Sequence, residues 1–219
     1  MIARAWFAIT ALVVFTGLVV QLVVTARFVG GRFSSLDARL FNLFCYFTIQ
    51  SNVIVGVTNL LLAVRPQRTS TLFRTLRLDG LVAIAVTGVV FHIALRGLQD
   101  LSGGAAFADL LLHTVSPVMC VAGWAFFGPH GTITKRVVAL SVVFPLCWLA
   151  FTLVRGPIVD YYPYPFVDVT ELGHVRVLFN CVLISVLFLA LATGARAIDL
   201  ARSRRALPPV RPEPPTGVH

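Results

Sequence analysis

The chain is organised as six long runs of apolar residues, separated by short segments that carry most of its charge. Each run is close to the ~20 residues that an α-helix needs to cross the hydrocarbon core of a bilayer. The pattern therefore predicts an all-α polytopic membrane bundle over residues 1–196, with spans at about residues 5–26, 40–64, 78–95, 105–127, 134–154 and 173–195. The first run is longer than the apolar core of a signal peptide, about 7–15 residues, and is interpreted as a retained helix.

The composition supports a membrane protein. Of the 219 residues, 58% are hydrophobic and only 12% are charged, about half the charged share of a soluble domain. The spans leave no room for a separate soluble domain, which excludes a soluble enzyme and a nucleic-acid-binding module. Residues 197–219 are rich in Arg and Pro and are predicted to form a flexible basic tail, because they cannot bury enough apolar surface to become ordered.

The distribution of positive charge predicts the orientation, because Lys and Arg resist translocation across the membrane. Of the 18 basic residues, 12 fall on one side: Arg4, Arg65, Arg68, Arg74, Arg77, Lys135, Arg136, Arg196, Arg202, Arg204, Arg205 and Arg211. Both termini are therefore predicted to be cytoplasmic, in a multi-pass protein of the cell membrane. The same charges account for the net charge of +9 through contact with anionic lipid headgroups, without a nucleic-acid partner.

Polar residues within the spans gather in the half nearer the outer side. Five helices contribute: Asn42, Tyr46, Thr48, Ser51 and Asn52 in the second span, His92 in the third, Asp109, His113, Thr114 and Ser116 in the fourth, Thr152 in the fifth, and His174, Arg176 and Asn180 in the sixth. The inner half is expected to be almost purely apolar, with Asn59 as an exception. Since polar groups inside a bilayer are costly, this concentration predicts a functional site.

The outer loop between the fifth and sixth spans, residues 155–171, is unlike a simple spacer. It contains Pro157, Pro163 and Pro165, which stiffen the backbone, together with tyrosines that suit the membrane interface. We expect this loop to be a lid over a cavity.

Asp109 and His113 are four residues apart, so they share one helix face. A carboxylate beside an imidazole fixes its tautomer and raises its basicity, as a general base requires. The alternative is a buried polar pair that only stabilises helix packing.

The four cysteines (Cys45, Cys120, Cys147, Cys181) show no CxxC spacing, and neither a disulfide nor a metal cluster is expected from them.

The remaining polar residues have functional and structural interpretations. His92 and His174 either join His113 around a metal or haem, polarise a substrate carbonyl, or hydrogen-bond with the outer acids. Arg155 and Arg176 either bind a carboxylate or a lipid phosphate, or pair with Asp160, Asp168 and Glu171. The amides of Asn42, Asn52 and Asn180 suit interhelical hydrogen bonds.

Three stretches carry a family resemblance: Phe47-Thr-Ile-Gln-Ser-Asn52, Asp109-Leu-Leu-Leu-His-Thr-Val-Ser-Pro117 and Tyr162-Pro-Tyr-Pro-Phe166. They resemble bacterial six-helix membrane proteins related to the animal androgen-induced and androgen-dependent membrane hydrolases. The resemblance extends over about residues 5–195. It implies a threonine hydrolase that cleaves fatty acid esters of hydroxy fatty acids, with Thr48 as nucleophile and His113 as base; Ser51 and Thr114 remain rival hydroxyls.

On this hypothesis Asp109 orients His113, and the Thr48 alkoxide attacks an ester carbonyl. Asn52, His92 or Asn180 would stabilise the oxyanion, with Tyr164 and His174 as further substrate contacts. A long acyl chain would lie in the apolar half, and a free carboxylate would meet Arg155 or Arg176. The substrate is a lipid, and no cofactor is expected.

Two other classes of protein stay open. One is a zinc-dependent membrane hydrolase that uses His92, His113 and His174 with Asp109 as a partner. The other is a non-enzymatic bundle for lipid binding or transport, or for binding a single haem.

Overall fold

The computed structural model describes residues 1–205, in which all regular secondary structure is helical. The α-helices are α1 (Ile2–Arg27), α2 (Leu36–Phe44), α3 (Phe47–Val64), α4 (Thr71–Val90), α5 (Gly103–Leu110), α6 (Ser116–Phe127), α7 (Lys135–Ser141), α8 (Val143–Val159) and α9 (Val169–Arg205). π-Helical turns at Phe91–Leu95 and Leu111–Val115 extend α4 and join α5 to α6, and a short 3₁₀ helix covers Pro165–Val167.

Six helical segments are long and apolar enough to cross a membrane: Ile2–Arg27, Phe47–Val64, Thr71–Leu95, Gly103–Phe127, Lys135–Val159 and Val169–Arg204. The prediction of an all-α bundle with six spans is therefore confirmed. Because the number of spans is even, Met1 and Arg205 lie at the same end of the bundle, which we call the terminal end. The connections at residues 28–46, 96–102 and 160–168 form the opposite, distal end.

The second span differs from the prediction of a continuous helix over residues 40–64. The helix is interrupted between Phe44 and Phe47, because the backbone of Tyr46 is extended (φ −74°, ψ 131°). The indole of Trp148 donates a hydrogen bond to the Cys45 carbonyl at 2.9 Å, which provides a partner for a carbonyl at the interruption. As a result Thr48 lies in the first turn of a new helix instead of in the middle of a long one.

The predicted start of the tail at residue 197 is also wrong. α9 continues to Arg205, although Gly173 (φ 73°) interrupts its first turns. The continuation is held against the bundle because Asp199 is completely buried and its carboxylate accepts a hydrogen bond from the Ile133 backbone N–H at 2.9 Å. The rest of the predicted tail, 206–219, lies outside the described residues.

The terminal half of the bundle is more polar than the sequence indicated. His130 Nδ1 lies 3.7 Å from Oδ1 of Asp199. Nearby, the Arg77 guanidinium donates a hydrogen bond to the Gly128 carbonyl. Burial lowers the pKa of His130, although the nearby Asp199 opposes the shift. Further buried polar residues in this half are Thr10, Thr58, Asn59, Thr75 and Asp79. The expectation of an almost purely apolar half is therefore wrong.

The main core connects α1, α3 and α4, through fully buried side chains such as Val14, Val55 and Ile84. α4 also approaches the π-helical turn before α6 very closely. A Cβ atom on Gly88 would lie 3.1 Å from the Cβ of Pro117 and 3.6 Å from the His113 carbonyl oxygen. This close packing brings the third and fourth spans together at the depth of the candidate site.

Gly156 on α8 lies against the distal connection at residues 160–168. A Cβ atom there would lie 2.1 Å from Cε1 of Tyr162, so the buried Tyr162 ring rests directly on the helix backbone. We expect Gly156→Ala to displace this ring and to destabilise the protein by about 1–3 kcal/mol, as overpacking in a core does. Thermal unfolding in detergent measures the effect. Gly194→Ala is the matched control, because a Cβ atom on Gly194 of α9 meets nothing within 4 Å; equal melting temperatures for the two variants would contradict the prediction.

Candidate functional site

Thr48 is held at the amino end of α3. Its side chain is buried, with 5% of the residue exposed. Its backbone N–H, one of the first donors of the helix without an intrahelical acceptor, donates to the Tyr164 hydroxyl at 3.0 Å. The Thr48 hydroxyl is 3.1 Å from the same oxygen, and either group can be the donor. Tyr164 therefore contacts both atoms of Thr48 that would matter in acyl transfer.

Tyr164 belongs to the connection at residues 160–168, which we call the lid. Its ring stacks on Phe166 with centroids 5.2 Å apart, and it meets the rings of Tyr46 and Trp148 at 5.6 Å and 5.8 Å. Burial raises the pKa of Tyr164 to about 12, against the opposing effect of the hydrogen bonds with Thr48. The phenol is therefore neutral at pH 7 and retains a proton that it can donate.

An apolar cavity of ≈ 270 Å³ begins at Thr48 and Tyr164. It lies between α3, α4, α8, α9 and the lid, and its walls are mainly aliphatic and aromatic. The polar or sulfur-containing residues in the lining are Thr48, Thr87, Tyr164, Cys181 and Ser185. This arrangement, an apolar cavity with a few polar groups that include Thr48 and Tyr164 at its distal end, is typical of a site for a mostly apolar ligand.

Asp109 and His113 form the close pair that their spacing predicts. His113 Nδ1 lies 2.9 Å from Oδ1 of Asp109 and 3.2 Å from the Asp109 carbonyl oxygen. The imidazole stacks on Phe91, with centroids 4.2 Å apart and planes 17° from parallel. No residue in the described part of the chain hydrogen-bonds to Nε2, so this nitrogen remains free to exchange a proton.

His92 and His113 both lie in π-helical turns. His113 is the middle residue of the π-helical turn Leu111–Val115, and His92 lies in the other π-helical turn, Phe91–Leu95. π-Helical turns are rare and occur frequently at functional sites, because the extra residue redirects the side chains around it. The two turns contact one another through Phe91 and His113 and through the 3.4 Å approach of Thr114 Oγ1 to His92 Nε2.

Thr48 and His113 are linked indirectly. The Asn52 amide donates to the Thr48 carbonyl at 2.9 Å and to the Leu112 carbonyl at 3.2 Å, and so joins the first turn of α3 to the π-helical turn that carries His113. Within residues 1–205 Thr48 and His113 form no direct hydrogen bond, since the Thr48 hydroxyl is bonded to Tyr164. Asn52 itself is completely buried, and its side-chain oxygen has no partner among the described residues.

The rival hydroxyls have other partners. Ser51 is completely buried and donates to the Thr48 carbonyl at 3.1 Å, with Thr87 Oγ1 3.4 Å away. Thr114 faces His92. Neither residue lines the cavity, whereas Thr48 does.

The three histidines of the predicted zinc alternative do not converge. His92 is exposed, and its Nδ1 is 2.8 Å from the Gly88 carbonyl. His174 is exposed at the start of α9. Over the described residues no group of three or more His, Cys, Asp or Glu side chains is arranged to hold a metal ion.

The predicted ligands for a substrate carboxylate lie apart from Thr48. Arg155 donates to Asn42 Oδ1 at 3.0 Å and lies over the rings of Phe33 and Phe41. Asp160, one of the acids expected to pair with Arg155 or Arg176, instead pairs with Arg32 at 2.8 Å. Arg176 is exposed on α9.

Asn180 donates to the Phe166 carbonyl at 2.9 Å and so holds the lid. The amide nitrogens of Asn180 and Asn52 both already donate hydrogen bonds to backbone carbonyls. The hydrogen-bond donors that lie beside the Thr48 hydroxyl are instead its own backbone N–H and the Tyr164 hydroxyl.

Several residues that fasten the lid were not identified from the sequence. The hydroxyls of Tyr46 and Tyr161 hydrogen-bond to one another, and the guanidinium of Arg32 binds both Asp160 and the Val159 carbonyl. These contacts join positions more than 100 residues apart in the chain, so no local pattern indicates them. The one available signal was the density of tyrosines in the loop.

The fold and these contacts define an integral membrane helical bundle with a buried threonine beside an apolar cavity. Comparison of the chain with protein-family models, with curated proteins and with solved structures gives no match.

Proposed function

We propose that this protein is a membrane lipid-ester hydrolase that uses Thr48 as its nucleophile and His113 as its general base. The observation that carries the proposal is the position of the Thr48 hydroxyl, at a helix amino end and at the polar end of an apolar cavity. A reacting ester group would sit beside Thr48 with its acyl chain among apolar side chains. Fatty acid esters, including fatty acid esters of hydroxy fatty acids, have this combination of groups.

In the proposed reaction Thr48 Oγ1 attacks the carbonyl carbon while its proton passes to His113 Nε2, directly or through one water molecule. Asp109 keeps the other ring nitrogen protonated and so holds the acceptor tautomer. The tetrahedral oxyanion is stabilised by the Thr48 N–H and the Tyr164 O–H. When the C–O bond breaks, His113 returns the proton to the leaving alcohol, and water then hydrolyses the acyl-threonine with His113 again as base.

The proposal requires Thr48 to exchange its Tyr164 hydrogen bond for contact with a substrate and with the base. The Tyr164 oxygen now lies 3.0 Å from the Thr48 backbone nitrogen, at the distance that an oxyanion would have from this donor. In the proposed reaction the substrate carbonyl oxygen takes this place, and the displaced Tyr164 hydroxyl donates to it. Hydrogen bonds of catalytic groups are often looser before substrate binds. The Asn52 bridge supports the pairing, because it keeps the two chain segments in register.

We further propose that the protein resides in the plasma membrane with both termini in the cytoplasm, as the excess of Lys and Arg at the terminal end favours. The site then lies in the outer half of the membrane. The apolar cavity also favours a second function, binding or carrying a lipid without hydrolysis, and the experiment below separates the two.

A fluorophosphonate probe on detergent-purified protein tests the nucleophile. We expect one adduct, mapped by peptide mass spectrometry to Thr48 and lost in His113→Ala, together with hydrolysis of lipid esters by the unlabelled protein. Labelling of Ser51 or Thr114 would assign the nucleophile to that residue instead. No adduct and no hydrolysis from folded protein would favour the lipid-binding function.

Tyr164→Phe isolates the hydroxyl on the lid. The ring contacts with Phe166, Tyr46 and Trp148 remain, but the donor to the oxyanion is lost, so we expect kcat to fall about 10²-fold with little change in KM. Tyr162→Phe is the matched control, since the Tyr162 hydroxyl makes no hydrogen bond to any described residue. A wild-type kcat in Tyr164→Phe would remove this phenol from the mechanism.

A further inference from the structure

The cavity beside Thr48 is elongated along α9, and its two ends differ. Along α9 its lining runs from Cys181 to Leu189, about 12 Å at 1.5 Å per residue. Thr48 and Tyr164 lie at the distal end, and Val142 and Leu189 lie toward the middle of the bundle. A ligand that fills the cavity therefore has its polar group at Thr48 and its apolar part directed toward the membrane centre.

The cavity also has an open side. Leu146 of α8 and Leu189 of α9 both line it, yet 53% and 44% of their surfaces are exposed. Buried side chains are few along both helices: 17% of the α8 span and 22% of the α9 span are buried, against 50% for α3. α9 packs against α4, α7 and the 3₁₀ helix of the lid, and α8 against α7. The surface between α8 and α9 faces lipid in a membrane-spanning bundle, so this side opens into the bilayer.

The distal side, by contrast, is closed. Tyr164 covers Thr48, and the lid is fastened by Asn180, by the Tyr46–Tyr161 hydrogen bond and by the Arg32–Asp160 ion pair. A ligand that comes from the water at the distal end would have to open the lid to reach Thr48. A lipid that enters between α8 and α9 would leave the contacts of Asn180, Tyr46 and Arg32 in place and would replace only the Tyr164–Thr48 hydrogen bond.

We infer that the gap between α8 and α9 is a lateral entrance through which a membrane lipid places one acyl chain in the cavity. The cavity volume of ≈ 270 Å³ is close to the lower end of the range of small-molecule pockets, about 300–1,000 Å³. The cavity thus accommodates a medium-length alkyl segment, and the rest of a longer chain extends through the gap into the bilayer. This inference deepens the proposed function and rests on it for the placement of an ester at Thr48.

Binding is tested independently of hydrolysis. Trp148 lines the cavity, whereas Trp6 and Trp124 lie in the terminal half, so a Trp6→Phe, Trp124→Phe background leaves Trp148 as the reporter. In phosphatidylcholine nanodiscs, a fatty acid brominated near its carboxyl end should quench Trp148 in a saturable way, because the Trp148 ring lies 5.8 Å from the Tyr164 ring at the Thr48 end of the cavity. Ser185→Phe fills the cavity and should weaken this binding about tenfold or more, by analogy with the effect of one added methylene in an apolar pocket.

Val186→Phe is the matched control, because Val186 is the next residue on α9, is exposed to lipid and does not line the cavity. It should bind the fatty acid as the parent does. Ser185→Leu provides a milder filling variant if Ser185→Phe does not fold. Linear, unsaturable quenching that is equal in every folded variant would overturn the inference, since it would reflect only probe dissolved in the bilayer.

Hydrolysis of p-nitrophenyl esters from acetyl to palmitoyl provides the second readout. Ser185→Phe should lose the long-chain esters and keep the acetyl ester, while Val186→Phe keeps the parental profile. A chain-length profile that Ser185→Phe leaves unchanged would also overturn the inference. If the parent hydrolyses no ester yet shows saturable quenching that Ser185→Phe weakens, the entrance stands and the proposed hydrolase function fails.

Discussion

Replacing Thr48 by alanine is expected to reduce kcat/KM for ester hydrolysis by about 10⁴-fold or more, the scale seen when a nucleophile is removed from an acyl-transfer site. The substitution removes the attacking oxygen and leaves the backbone N–H that donates to Tyr164. Thr48→Ser keeps the oxygen on a less restricted side chain and should retain measurable turnover. Initial rates on a lipid ester, with mass spectrometry of the acyl-enzyme, measure both variants.

Thr58→Ala is the matched control for this experiment. Thr58 lies on the same helix and is also buried, but its hydroxyl donates to the Ile54 backbone carbonyl at 2.7 Å. Such a hydroxyl serves its own helix, so its loss should leave the rate within a few-fold of the wild type. Equal rates for Thr48→Ala and Thr58→Ala would mean that Thr48 has a structural role.

Removing the imidazole of His113 has the second largest expected effect. His113→Ala eliminates the free Nε2, and kcat should fall about 10³-fold, within the usual range for general acid–base catalysis. Asp109→Asn retains the shape of the pair but places an amide beside Nδ1 and no longer enforces the acceptor tautomer. We expect it to lower kcat about 10²-fold and to leave KM nearly unchanged.

His130→Gln controls for the loss of a histidine elsewhere in the bundle. His130 lies near Asp199 at the terminal end, beyond the opposite end of the fourth span from the Asp109–His113 pair, so its replacement should change thermal stability more than kcat. A purely structural role for His113 would give the opposite pattern, with melting temperature and activity falling together and KM changing as much as kcat in Asp109→Asn.

Asp199, Ile133 and His130 lie together at the terminal end and help to hold the bundle together. A buried carboxylate without partners is costly, and the hydrogen bond from the Ile133 N–H to Oδ2 of Asp199 offsets part of this cost. The other carboxylate oxygen lies 3.7 Å from His130 Nδ1 and accepts no hydrogen bond from the described residues. The last turns of α9 are thereby anchored to the α6–α7 connection. Since α9 also forms one wall of the cavity, this anchoring fixes one side of the proposed entrance at a distance from Thr48.

The prediction that Asp109 and His113 lie side by side is confirmed, because helix geometry alone brings residues four apart onto one face. The number of spans was also predicted correctly, but their bounds differ. α4 begins at Thr71 instead of about residue 78, α9 ends at Arg205 instead of about residue 195, and the second span is interrupted near Tyr46. That interruption depends on Trp148, which is about 100 residues away and binds the Cys45 carbonyl. Hydropathy contains no information about such a contact, so the residues appeared as one continuous helix.

By itself, the sequence determined that the protein is all-helical and crosses a membrane six times, because span length and apolar content are local properties set by the thickness of the bilayer. It also indicated which half of the bundle carries Thr48, Asp109 and His113. Only the tertiary structure decided that Thr48 bonds to Tyr164, 116 residues later, that Asn52 joins its turn to that of His113, and that Asp199 is buried. These contacts are set by how the six helices pack, since side chains from different spans meet only when the whole bundle has formed.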